Sequence, residues 1–211
     1  MFSETEQLTD EQRQKIELSL ANYHIPYQIL EIISERCGCK IDIRSFKVLR
    51  RGEKVNLLSR LNRQSILLLQ KIFLDCEDSY SDFRLAVYMS WNYFPKYYKF
   101  LMKEDVDGIS GTKYIFDVCI YAKDTQNLVA VGIENDKKGK KADSKSLKNF
   151  LKSIKDISGI EKHIQRVYYV SSFGYEDNDP MELVKKDYRI NDITIRFLEF
   201  KDKVFLSLNS K

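Results

Sequence analysis

The sequence predicts an α/β fold in which helices flank a mixed β-sheet and a mostly helical region precedes that sheet. Apolar residues recur at helical spacing through much of the first half of the chain. The second half instead carries short strand-like patterns, interrupted by one long helical pattern. The chain has 211 residues, 43% hydrophobic and 31% charged, a composition typical of a globular protein with a buried core.

Four helical patterns make up the first half of the chain. Thr9 stands three residues before Gln12, which is capping-box spacing, and Pro26 and Gly38 suit the first turn and the end of a helix. The third pattern is apolar on most sides, which favours a buried helix. The four helices are predicted at about residues 9–23, 26–38, 59–74 and 81–91.

Strand patterns begin at Lys113. The first is rich in β-branched and aromatic residues, and the second is a short apolar run of the kind found in central strands. The helical pattern that follows has Leu147, Phe150 and Ile154 on one face. Strands are predicted at residues 113–122, 128–134, 165–171, 193–200 and 204–208, with helices at 144–157 and from about 179.

A cluster of charged residues and glycines at residues 104–111 marks the expected division of the chain. Helical patterns dominate before this cluster, and strand patterns follow it. We therefore expect a mostly helical region at residues 1–104 and a sheet-forming core at residues 105–211.

Composition excludes several classes of protein. The net charge of +4 permits nucleic-acid binding without requiring it. The four cysteines form no CxxC pair and lie far from His24 and His163, so we expect no structural zinc and reduced thiols in a cytoplasmic protein. The most apolar stretch, residues 65–74, is broken by Gln70 and Lys71 and is too short to cross a bilayer. We therefore expect no association with a membrane.

Three acidic residues, Asp117, Glu134 and Asp136, fall on or beside predicted strands. Glu134 and Asp136 project to the same side, because side chains alternate along a strand. If the strand that carries Asp117 pairs beside them, the three carboxylates converge. Such carboxylates repel one another unless a cation offsets their charge. The pattern therefore predicts a site for Mg²⁺ (or Mn²⁺) at these three residues, whereas the alternative is that each acid faces solvent.

The residues around these acids resemble the signature of the PD-(D/E)XK nuclease superfamily. Phe116 and Asp117 on one strand are followed, after a turn, by residues 132–136 on the next. The resemblance covers roughly residues 104–172, whose order of elements fits most of the family core of helix, three strands, helix and strand. It implies a restriction-endonuclease-like fold and Mg²⁺-dependent cleavage of DNA. Asp117 and Glu134 would bind the metal, and a lysine would position the attacking water.

Among relatives in that family, the small archaeal Holliday-junction resolvases are similar in size and in the placement of the strand-borne acids. This likeness implies a substrate of branched or structured DNA, as in replication, recombination or repair. Many structure-selective nucleases are dimers, so we expect a homodimer. The overall character of the chain suggests a source among archaea or their viruses.

The chain departs from the family pattern at two positions. Phe116 stands where the family often has proline, and Asp136 stands where its lysine belongs. Lys138 lies one alternation further on the same face and is the candidate replacement. Lys137 or Lys145 is an alternative source of the ammonium, and Asp136 with Lys138 is an alternative form of the motif itself. If no lysine reaches the site, we expect an inactive nucleic-acid-binding protein on the same fold.

Lysines crowd the sequence directly after the acids. Beside a metal site they would neutralise phosphates and hold a nucleic-acid backbone, although a solvated helix face is the alternative. The predicted nucleic-acid-binding residues are Lys137, Lys140, Lys141, Lys145 and Lys148.

An aromatic-rich segment covers residues 88–100. Its rings can stack on unpaired bases, or they can pack in a core or a dimer interface, because aromatic side chains bury large areas. If the aromatic segment forms an interface, the chain is a structural or assembly protein, which is a further alternative to the nuclease.

Overall fold

The computed structural model describes residues 9, 11, 25–41, 63–135, 140–176, 188–201 and 204–207. The chain divides into two compact units, Met1–Phe83 and Arg84–Lys211. The division expected between residues 104 and 105 falls inside the first strand of the sheet, Tyr98–Asp107. The sheet therefore begins before the expected core does.

The first unit contains helices α1, Tyr27–Cys37, and α2, Arg63–Phe73. Pro26 is the N-cap of α1, and Gly38 ends that helix with a φ of 61°, a left-handed conformation that glycine adopts without a steric penalty. Gly38 ends the helix as the sequence predicts, whereas Pro26 precedes the first turn that the sequence assigned to it. The predicted helix at 9–23 lies almost wholly outside the described residues, as do the first four residues of the helix predicted at 59–74.

Helix α3, Ser81–Ser90, follows a short 3₁₀ turn and links the two units. The described residues of the second unit then form a seven-stranded sheet. The strands are β1 (Tyr98–Asp107), β2 (Lys113–Ala122), β3 (Leu128–Glu134), β4 (Arg166–Ser171), β5 (Tyr188–Ile190), β6 (Ile193–Lys201) and β7 (Val204–Ser207). Helix α4 (Ser144–Ile157) lies between β3 and β4 in the chain.

The sheet is mixed, as the sequence predicts. Its strand order is β1-β2-β3-β4-β6-β5, and β7 also pairs with β6. Strands β1, β2 and β3 form an antiparallel meander, whereas β3, β4 and β6 run parallel. Helix α4 connects β3 to β4, because two parallel strands need a crossover connection.

Helix α4 covers one face of the sheet. Leu147, Phe150 and Ile154 are buried against apolar side chains from β2, β3, β4 and β6. The Asp143 side chain caps this helix by accepting the Ser146 N–H at 2.7 Å. The bounds of α4, β2 and β3 agree with those predicted from the sequence.

Helix α3 lies close to the other face of β3. A Cβ atom built on Gly132 would lie 2.6 Å from the Met89 Sδ and 3.1 Å from the Leu85 Cδ2, so a larger residue there would require these side chains to shift. Strand β3 is thus covered on both faces, which explains its unbroken run of apolar residues.

Two strands were not predicted, β1 and β5. Strand β1 lies at the edge of the sheet, and within it only Phe100 and Val106 are buried. Its alternation is therefore weak, and its first residues belong to the aromatic-rich segment. The short helix predicted from about residue 179 lies outside the described residues.

Candidate functional site

Asp117 lies in the middle of β2 with only 12% of its side chain exposed. Lys103 on β1 stands directly opposite, since Met102 pairs with Val118 and Glu104 pairs with Phe116. The Lys103 Nζ donates a hydrogen bond to the Asp117 Oδ1 and forms an ion pair with it. Lys103 was not among the residues that the sequence singled out.

The backbone is irregular where these two residues meet. Lys103 has a φ of 56°, a left-handed conformation that costs a residue with a Cβ about 1 kcal/mol. On β2, Phe116 and Cys119 both belong to the apolar cluster under α4, although regular alternation would place them on opposite faces. The interruption therefore falls at the Lys103–Asp117 pair, and strained backbone of this kind is concentrated at functional sites.

Glu134 ends β3 beside Asp117. Its main-chain N–H donates to the Asp117 Oδ2 at 2.6 Å. The last residue pair between β2 and β3 on this side is Val118 with Gly132. Beyond that pair the Asp117 carboxylate accepts the hydrogen bond that a strand carbonyl would otherwise accept, and it links the two strands.

The Glu134 side chain points toward the end of β4. Ser172, which follows that strand, donates its hydroxyl to the Glu134 Oε1. The Asn135 N–H donates to the Val170 carbonyl at 2.8 Å, so the chain remains attached to β4 just past Glu134. Glu134 is therefore held at the carboxyl ends of two parallel strands, the edge where open α/β sheets bind ligands.

The segment that leads into α4 lies at the same edge. Ala142 pairs with Tyr175 in an isolated bridge, and its N–H donates to the Gly174 carbonyl at 2.9 Å. Gly174 has a φ of 79° and turns the chain just after Ser172. Lys140 and Lys141, both exposed, immediately precede this bridge.

Asn135 adds a buried amide beside Glu134. Its Nδ2 has no hydrogen-bond partner in the part of the chain that the structure describes. Leaving a buried donor unpaired costs roughly 1–3 kcal/mol. A water or a phosphate oxygen is the kind of acceptor that would satisfy it.

Of the three predicted acids, Asp117 and Glu134 lie on adjoining strands, where the main-chain N–H of Glu134 contacts the Asp117 carboxylate. The third acid, Asp136, and the predicted lysines Lys137 and Lys138 lie outside the described residues, and their roles stay predictions. The sequence does not predict Lys103 as a site residue, because it does not predict β1 as a strand. The sequence signal that bears on it is the alternation of β1, which is too weak to indicate how this strand pairs with β2.

Two carboxylates are compatible with a divalent cation. The described residues contain no group of three or more Asp, Glu, His or Cys side chains able to hold a metal. Mg²⁺ usually takes only one or two protein carboxylates and completes its shell with waters and phosphate oxygens. Each Asp117 oxygen accepts one hydrogen bond from the described residues and retains a further lone pair. Asp117 and Glu134 therefore supply the number of carboxylates that this cation usually takes from a protein, and Lys103 offsets the charge of Asp117.

The lysines of α4 face solvent. Lys145 and Lys148 are exposed, as are Lys152 and Lys155 further along the helix, and the apolar face of α4 is turned to the sheet. Within the described ranges, Lys140, Lys141, Lys145 and Lys148 have no carboxylate within ion-pair distance. Their ammonium groups are available to phosphates.

The cysteine nearest the acids is not poised for nucleophilic chemistry. Cys119 is buried two residues from Asp117, and this burial raises the pKa of its thiol far above the ordinary value, with smaller contributions from Glu104, Glu161 and Asp117. The thiol stays protonated at neutral pH. All four cysteines are free thiols, of which Cys39 and Cys119 are buried and Cys37 and Cys76 are half-buried.

Comparison of the chain with protein-family models, with curated proteins and with solved structures found no match. Among the residues that the structure describes, no helix has both the length and the apolar character needed to cross a membrane.

Proposed function

We propose that this chain is a metal-dependent nuclease that hydrolyses phosphodiester bonds in DNA. The observation that carries the proposal is the hydrogen bond between the Asp117 carboxylate on β2 and the end of β3, where Glu134 begins the acidic segment. Two carboxylates, one ammonium and a neighbouring set of exposed lysines are the groups needed to hold a phosphodiester and a divalent cation.

The order of elements supports the same proposal. Helix α3 is followed by the antiparallel strands β1, β2 and β3, then by α4, and then by β4 parallel to β3. This is the order of helix, three strands, helix and strand that the PD-(D/E)XK resemblance implies. The acids stand on the second and third strands, where that resemblance expects them.

The residues have separable roles in this proposal. Asp117 and Glu134 would hold Mg²⁺ or Mn²⁺, which when bound lowers the pKa of a water and stabilises negative charge on phosphate. Lys103 directs its Nζ to the same carboxylate and can donate to a phosphate oxygen or to the attacking water. It thereby supplies the ammonium that the sequence assigned to Lys138. The lysines before and on α4 would hold the DNA backbone.

A nucleic-acid-binding protein that does not cleave is the second candidate. The Lys103–Asp117 ion pair favours it, because an ammonium compensates a buried carboxylate without any metal. If this candidate is correct, the protein binds DNA in a salt-sensitive way and does not cleave it with any divalent cation.

Cleavage assays on supercoiled plasmid and on a four-way DNA junction distinguish the two candidates. With Mg²⁺ or Mn²⁺ we expect nicking that EDTA abolishes, and a loss of at least about a hundredfold in Asp117→Asn and in Glu134→Gln. Asp107→Asn is the matched control, because this β1 carboxylate is 64% exposed and its ion-pair partner among the described residues is Lys113.

Equal nicking by Asp117→Asn and the unmodified chain would reject the nuclease assignment. Binding without cleavage under every metal condition would establish the second candidate instead. The homodimer implied by the resemblance stays a prediction, which sedimentation of the purified chain checks.

A further inference from the structure

A cavity of about 490 Å³ opens at the opposite end of the sheet from Asp117 and Glu134. It lies where β1 begins, β2 ends, and β3 and β4 begin. The side chains that carry its chemistry are those of Lys96, Tyr97, Lys123, Asn127, His163 and Gln165.

The cavity is distinct from the acidic site. Ala122 lines the cavity and lies five residues along β2 from Asp117, and Val129 lies five residues along β3 from Glu134. At about 3.3 Å per residue, roughly 16 Å of strand separates the two places. A group bound in the cavity therefore does not touch the acids.

Hydrogen bonds fix the walls of the cavity. The Lys123 N–H donates to the Tyr97 carbonyl at 2.9 Å, and the Lys123 Nζ donates to the Pro95 carbonyl at 2.7 Å. On the opposite wall the Gln165 N–H donates to the Val129 carbonyl at 2.9 Å. The cavity is thus largely preformed, as small-molecule sites usually are.

One wall offers an aromatic face beside positive charge. Tyr97 is 59% exposed although it is a large ring, and the Lys96 Nζ lies 5.2 Å from the ring centroid. Lys96 and Lys123 outweigh the single acid of the lining, Asp124. A ring that stacks on a base, next to ammonium groups that neutralise phosphate, is the combination found in single-stranded nucleic-acid sites.

We propose that this cavity binds an unpaired nucleotide, with its base stacked on Tyr97 and its phosphate held by Lys96 and Lys123. The amides of Asn127 and Gln165 match the hydrogen-bonding edge of a base, since each offers both donors and an acceptor. The nucleotide is either free or part of a single-stranded segment of nucleic acid. The proposal goes beyond the nuclease function, because it needs neither the acids nor a metal.

Fluorescence anisotropy of a labelled, short oligothymidylate in EDTA tests this proposal. We expect Tyr97→Leu to weaken binding about fivefold or more, because stacking on that ring is lost, and Tyr97→Phe to retain it. Lys96→Ala should weaken binding and reduce its dependence on salt. Phe94→Leu is the control for Tyr97, because Phe94 is an exposed aromatic residue that does not line the cavity. Lys113→Ala is the control for Lys96, because Lys113 is an exposed lysine that does not line the cavity.

Competition with thymidine monophosphate identifies the source of the nucleotide. Displacement at comparable affinity supports a free nucleotide, whereas much tighter oligonucleotide binding supports a strand. Equal affinity of Tyr97→Leu and the unmodified chain overturns the proposal, as does displacement by an acidic peptide as readily as by the nucleotide. Because EDTA suppresses any metal-dependent cleavage, this result is independent of the plasmid assay.

Discussion

Lys103 combines a left-handed backbone conformation with an ion pair to a mostly buried carboxylate. The conformation costs about 1 kcal/mol, and a buried carboxylate without a partner would cost more. The ion pair and the hydrogen bond from Glu134 offset these costs at Asp117. Each of the two residues therefore helps to stabilise the other, and both lie where the chemistry is proposed.

Replacing Lys103 separates its structural role from its chemical one. Lys103→Asn removes the ammonium, while asparagine tolerates the left-handed conformation better than most residues. We expect the variant to fold, to bind DNA, and to nick plasmid about a hundredfold more slowly in Mg²⁺. Rates under single-turnover conditions measure this effect.

Lys99→Asn is the control for that measurement, because Lys99 is an exposed lysine on the same strand. Circular dichroism of both variants verifies that the sheet is retained. A Lys103→Asn chain that nicks at the unmodified rate would exclude Lys103 from the reaction and return the role to Lys138.

Helix α4 is the element that joins the proposed DNA-binding surface to the acidic edge of the sheet. Its buried face packs on the strands, its exposed face carries the lysines, and its N-terminus lies beside the loop that holds Glu134. The position of the lysines thus depends on where this helix begins. Asp143 sets that beginning through its side-chain cap.

Removal of the α4 cap should destabilise the second unit. Asp143→Ala leaves the Ser146 N–H without its side-chain acceptor, and we expect a loss of about 1 kcal/mol in the free energy of unfolding. Asp143→Asn retains an acceptor and is the matched control. Urea unfolding, monitored by circular dichroism, measures the free energy of unfolding of both variants. If the alanine variant is as stable as the unmodified chain, the cap contributes nothing to stability.

At the scale of the whole molecule, chemistry is arranged at two ends of one sheet. The acids, Lys103 and the N-terminus of α4 lie toward one end, and the cavity with Tyr97 lies at the other. A net charge of +4 is small, so the local clustering of lysines determines where a polyanion binds. Binding at both ends would place a nucleic acid along the sheet.

The salt dependence of duplex binding reports the contribution of the α4 lysines. The slope of log affinity against log salt is negative, and replacing Lys145 and Lys148 together with alanine should reduce its magnitude by about two. Each lysine that no longer neutralises a phosphate reduces that magnitude by about one. Lys113→Ala serves as the control, since Lys113 already pairs with Asp107. An unchanged slope in the double variant would identify these lysines as an ordinary solvated helix face.

The sequence alone determined the elements whose patterns are local and strong. The bounds of α4, β2 and β3 follow from periodicity and turn residues, and the end of α1 follows from Gly38, because each signal depends only on near neighbours in the chain. The same local reasoning identified Asp117 and Glu134 as acids on core strands. It failed at β1, whose edge position leaves most of its residues exposed and its alternation weak.

Only the tertiary structure decided which distant residues meet. The pairing of Lys103 with Asp117 depends on the register of β1 against β2, and the cavity depends on segments that are up to 69 positions apart, from Lys96 to Gln165. Register between strands is set by the packing of a whole sheet on its helices, which no local pattern encodes. The acids were therefore visible in the sequence, whereas their ammonium partner and the second binding site became visible only when the strands were aligned.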